Sequence, residues 1–97
     1  MAEETIELGG KIQLAGFRDV EPGKLIVVKK VVGNYVKKIE ERNPGFESIH
    51  IHLKQVHNSE FEVQVKAMIG GNPKNGEVTG NNLFVVLDKA LNKVLEH

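Results

Sequence analysis

Phe46-Glu-Ser-Ile-His-Ile-His-Leu-Lys-Gln-Val-His57 and, two residues on, Glu60-Phe-Glu-Val-Gln-Val-Lys-Ala-Met-Ile69 decide the architecture. Ile49, Ile51 and Leu53 alternate with Ser48, His50, His52 and Lys54 in the first run. Phe61, Val63, Val65, Ala67 and Ile69 alternate with Glu60, Glu62, Gln64 and Lys66 in the second. Successive strand side chains point to opposite faces, so this period of two predicts two half-buried strands. Asn58-Ser59 is the expected tight turn between them. A sheet with one apolar and one polar face needs covering on one side only.

Working outward, the period changes to that of a helix. Between Lys24 and Arg42, Val28, Val31, Val32, Tyr35, Val36 and Ile39 recur at spacings of three and four, one stripe of a helix. The segment is rich in Val, which local propensity would allow as strand, but its length and period predict helix. Pro22 suits the first turn, Asp19 and Glu21 just before it suit the helix dipole, and Asn43-Pro44-Gly45 ends the pattern. Lys11 to Phe17 alternates briefly, with Ile12 and Leu14 on one face, and reads as a strand. After the hairpin, Gly70 to Gly76 reads as a turn-rich loop and Glu77-Val-Thr79 as a short strand. Asn81-Asn82 offers an N-cap to a last helix whose stripe is Leu83, Leu87, Ala90, Leu91 and Val94. The expected fold is α+β: a single β-α-β-β-(β)-α domain, its antiparallel-rich sheet carrying both helices on one face. Residues 1–10 are expected to form a flexible acidic arm, 11–94 the domain, and 95–97 a remnant of a C-terminal purification tag.

The chain has 97 residues, with 13 Lys and Arg, 13 Asp and Glu, and no Cys. One domain is the sensible count, and a chain of this size buries roughly 60–68% of its unfolded surface. Without Cys there is no disulfide framework, thiol nucleophile or Cys-ligated metal. No stretch is apolar for the length a membrane span needs, and a cytoplasmic setting is expected. The zero net charge is uneven. Residues 8–95 carry 13 bases against 9 acids, a net of +4.

The residues exclude more chemistry than they support. Gly71 and Gly76 have the spacing of a phosphate-binding loop, but Glu77-Val78 stands where its Lys and Ser/Thr belong, so a hairpin turn is expected. His50 and His52 share one face of a strand, and with Glu62 across from them they would be weak candidates for a zinc site. Ser48 and Ser59 lie in no nucleophile motif, and Glu40-Glu41 reads as a solvated face, so no enzyme and no cofactor are expected. The lysines are more suggestive. At about 100° per residue, Lys29, Lys30 and Lys37 lie opposite the apolar stripe of the first helix, with Lys38 at its edge. Lys89 and Lys93 face away from Leu87 and Val94 on the second. Helices packed side by side would join these into one surface for phosphate contact.

Several motifs resemble those of the ribosome hibernation-promoting factors, also called ribosome-associated inhibitor or sigma-54 modulation proteins. Tyr35-Val-Lys-Lys-Ile-Glu40 stands where that family's first helix has Tyr-Val-x-Lys-Lys-(Leu/Ile). Ile49-His-Ile-His-Leu53 and Phe61-Glu-Val-Gln-Val65 are similar to its paired strands. Leu83-Phe-Val-Val-Leu-Asp88-Lys-Ala-Leu-Asn-Lys93-Val94 follows its aspartate-centred last helix. The chain departs from the family in its Asp-Val-Glu-Pro-Gly helix entry and in Gly70-Gly71. The resemblance implies a β-α-β-β-β-α domain that binds the small ribosomal subunit and its rRNA near the mRNA/tRNA channel and keeps idle ribosomes inactive. It implies rRNA contacts at Lys37, Lys38, Lys89 and Lys93, with Lys30 adjacent. A second, dimerising domain is not expected, nor is ribosome pairing through one. The alternative reading is a homodimerising interaction module that uses the open sheet face around His50, His52 and Lys54, or a sheet edge.

Overall fold

A computed structural model describes residues 5–57 and 59–96. Five strands, β1 (Thr5–Leu8), β2 (Ile12–Ala15), β3 (Phe46–His57), β4 (Glu60–Ile69) and β5 (Asn72–Gly80), form one sheet in the order β1-β2-β3-β4-β5. The helices are α1 (Pro22–Arg42) and α2 (Leu83–Glu96). Only β2 and β3 pair in parallel, because α1 carries the chain from one to the other. All other pairs are antiparallel. The fold is therefore the α+β arrangement expected, with a mixed sheet and both helices packed against its apolar face.

The β3–β4 register sets Ile49 opposite Ala67, Ile51 opposite Val65 and Leu53 opposite Val63. Those six residues are buried beneath the helices. From above, α1 contributes Val28, Val32, Val36 and Ile39, and α2 contributes Leu83, Val86, Leu87, Ala90, Leu91, Val94 and Leu95. Phe17, on the connection into α1, is fully buried. Asn82 caps α2 as its sequence suggests, its side-chain oxygen accepting from the backbone N–H of Phe84 and Val85 at 3.0 and 3.2 Å. At the start of α1, Glu21 makes no such bond.

The structure corrects three boundaries. Thr5–Leu8, expected within a loose arm, is a strand antiparallel to β2, with Ile6 opposite Leu14 and Leu8 opposite Ile12. Its Ile and Leu extend the apolar face, which outweighs the acidic composition of the N-terminus. Residues 1–4, with Glu3 and Glu4, lie outside the described residues. At the other end α2 continues through Leu95, which is packed in the core, and Glu96; His97 lies outside the described residues. The expected loop over 70–76 is also mostly strand. Gly70 and Gly71, with φ of +58° and +81°, make a tight turn that suits glycine, and β5 begins at Asn72. Pro73 and Gly76, which are unfavourable inside a sheet, are accommodated on an edge strand. Of the expected Asn58-Ser59 turn, Asn58 lies outside the described residues, and Ser59 is in a turn.

Candidate nucleic-acid interface

The outward surface of the two helices is the candidate site, and α1 dominates it. Val28, Val32, Val36 and Ile39 turn to the sheet, Leu25, Val31 and Tyr35 pack half-buried beside them, and the outer side of α1 meets solvent. The helix carries six bases (Lys24, Lys29, Lys30, Lys37, Lys38 and Arg42) against Glu40 and Glu41. The Glu40 carboxylate lies 3.8 Å from the Lys11 ammonium of the β1–β2 turn. On α2, Lys89 and Lys93 are balanced by Asp88 and Glu96. The basic surface that the sequence divided between two helices therefore belongs mainly to one.

The predicted lysines do not all converge. Lys30 and Lys37 are exposed, two helical turns apart on one row of α1. Lys29, expected beside them, is half-buried on the flank of the helix. Lys38 leans toward α2, its ammonium 5.6 Å from the centre of the Tyr35 ring. Lys89 is exposed on the outer surface of α2. Lys93 turns the opposite way, donating to the backbone carbonyl of Glu77 on β5 at 3.0 Å. Lys30, Lys37, Lys38 and Lys89 thus share the outward surface, and Lys93 sits over the sheet edge. Exposed Ile26 and Val27 on α1 and Val85 on α2 interrupt the charge with apolar surface.

Between the helices the Tyr35 hydroxyl donates to the Asp88 carboxylate at 2.5 Å. Burial, then the bond to Asp88, and then the negative charges of Asp88 and Glu96 push the phenol up to about 12. Sequence periodicity assigns Tyr35 to the apolar stripe and leaves its hydroxyl without a partner. A tyrosine at the margin of such a stripe needs one for its polar end, and that was the available signal.

The opposite, open face of the sheet is polar. His50 faces Lys66, His52 faces Gln64, and Glu62 faces Lys54. The register thus sets Glu62 beyond the two histidines, where the Gln64 amide donates to it at 3.3 Å. Glu62 therefore does not join the two weak candidates, His50 and His52: no cluster of three or more His, Cys, Asp or Glu suited to a metal occurs among the described residues. His50, His52, Gln64 and Lys66 line a shallow depression of about 390 Å³ that also reaches Asn75 and Glu77. A second cleft, of about 520 Å³, lies where the start of α1 meets that of α2, lined in part by Asp19, Lys24, Gln55, Phe61, Asn81 and Phe84.

The chain matches no protein-family model and no curated protein. Its fold is similar to that of a ribosomal subunit interface protein from Coxiella burnetii. The TM-score is 0.60 over 89% of this chain and 88% of that one, at 14% sequence identity. At that identity the likeness is one of fold. No described helix is long and apolar enough to cross a membrane.

Proposed function

We propose that this chain is a non-enzymatic RNA-binding domain that docks on rRNA of the small ribosomal subunit through the outward face of α1. The observation that carries the reading is the concentration of charge on that helix, six bases against two acids, in a fold similar to a ribosomal subunit interface protein. Lys30, Lys37 and Lys38 would contact phosphates, with Lys89 extending the surface across to α2. Lys93 takes a peripheral part, since its ammonium is already engaged. A-form RNA offers phosphates and 2′-hydroxyls rather than a readable major groove, so binding would be shape-directed, strongly salt-dependent and weak in sequence preference. Occupancy of the mRNA/tRNA channel, and with it the silencing of idle ribosomes, is the finer form of the proposal. Homodimerisation through the open sheet face has less support, because among the described residues the exposed large apolar ones lie on the helices and not on that face.

Cosedimentation with small ribosomal subunits over a salt series tests the reading. The chain is expected to pellet at low salt and to be released as salt rises. Failure to pellet at the lowest salt would overturn it. Competition with mRNA or tRNA tests channel occupancy separately.

A further inference from the structure

β5 is an edge strand of nine residues, with no strand beyond it among the described residues; the opposite edge, β1, has four. A long edge presents backbone donors and acceptors with which another chain can pair. On β5 one of those groups is occupied by Lys93, whose ammonium donates to the Glu77 carbonyl at 3.0 Å. Backbone groups of alternate residues point alternately toward and away from the neighbouring strand. The two-residue Gly70-Gly71 turn closes on the Ile69–Asn72 pair, so the backbone groups of Pro73, Asn75, Glu77 and Thr79 point away from β4. Pro73 therefore lacks its N–H where the β4–β5 ladder does not use one. Gly76 lets α2 come close enough for Lys93 to reach the edge. A Cβ on residue 76 would stand 2.6 Å from the Ala90 carbonyl oxygen and 3.1 Å from the Lys93 Cβ.

We propose that β5 is a latent pairing edge for a second copy of this chain, held closed by the Lys93 ammonium on the Glu77 carbonyl. The sequence of β5 is self-complementary about Gly76. An antiparallel two-fold centred there sets Asn75 opposite Glu77 and Lys74 opposite Val78, so no like charges face each other. In that register the Asn75 N–H of one copy donates to the Glu77 carbonyl of the other, the acceptor that Lys93 occupies. The inference goes beyond the RNA-binding reading and stands or falls without it.

The test is the solution mass of the full chain by sedimentation equilibrium, up to millimolar protein. The native chain is expected to hold at 10.8 kDa, and Lys93→Ala to rise toward twice that mass with concentration. Lys93→Met, which keeps the stem over Gly76 but removes the ammonium, is expected to associate as well. Adding Asn75→Pro deletes an outward N–H and leaves the β4 ladder intact, so Lys93→Ala/Asn75→Pro is expected to return to monomer. A monomeric Lys93→Ala would overturn the proposal. So would a Lys93→Met chain that stays monomeric while Lys93→Ala associates, since the stem would then be the guard. Association that survives Asn75→Pro would place the contact elsewhere, and a native chain already dimeric through β5 would show that Lys93 does not close it.

Discussion

The two helices lie on the same sheet but divide the work of the domain unequally. Seven of the fourteen residues of α2 are buried, against four of the twenty-one in α1. Gly76 and Gly80 of β5 accept α2 so closely that a Cβ on either would stand within 3 Å of it. Asn82 closes the amino end of α2, whereas the Glu21 side chain leaves that of α1 uncapped. The formal charge of α2 is balanced, while α1 holds four more bases than acids. A helix held by a broad apolar face can give up outer charge without consequence for stability. A long helix anchored by a narrow stripe leaves most of its circumference for charge. Substitutions in α2 should therefore be read in stability and those on the outer face of α1 in binding.

The largest expected effect breaks the anchoring helix. Leu87 is fully buried, and Leu87→Ala removes its side chain and leaves a cavity, at a cost of about 2–5 kcal/mol. Chemical denaturation measures this, and a loss below 1 kcal/mol would mean that α2 is not the anchor. On α1 the counterpart is charge reversal at Lys30, Lys37 and Lys38, all on the surface. The melting temperature should stay close to native while cosedimentation with small subunits is lost. Replacing these lysines singly with Ala should flatten the dependence of log affinity on log salt by about one for each contact removed. A triple variant that still pellets normally would take the site away from α1.

A smaller effect separates the two amino ends. Asn82→Ala removes the acceptor for two backbone donors and should cost about 1 kcal/mol. Glu21→Ala loses only an exposed pairing with Lys24 at 3.8 Å and should stay within about 0.5 kcal/mol of native. Equal losses from the two would contradict the capping difference.

That Asn82 cap, the β3–β4 hairpin and both helical stripes are legible in the sequence because each depends on residues near one another in the chain. β1 and the first half of β5 are not. The acidic run Glu3, Glu4 and Glu7 around one and Asn-Pro-Lys-Asn-Gly in the other argue for loop, and only the neighbouring strands make them sheet. The same division runs through the site. Periodicity puts Lys30 and Lys37 outward without any tertiary information. That Lys93 ends on Glu77, and that Glu62 falls beyond His50 and His52, follows from helix docking and strand register, which no local pattern encodes.

The bond between Tyr35 and Asp88 joins the two helices and gives the smallest expected effect. Tyr35→Phe keeps the ring and removes the hydroxyl, at a cost of about 1 kcal/mol near neutral pH. Its pH dependence tells more. The phenol is raised to about 12 in the folded chain, against about 10 when unfolded, so folding favours the protonated form. That contribution is fully present below about pH 10 and is lost as pH rises toward about 12. The stability gap between the native chain and Tyr35→Phe should hold steady below pH 10 and close above it, since the other titrating groups are common to both. Tyr35 is the only tyrosine, so the ultraviolet absorbance of tyrosinate reports its ionisation alone. A midpoint near 10 in the folded chain would mean that the two helices are not joined through this hydroxyl. In that case the lysines of α1 would hold their place beside Lys89 through apolar packing alone.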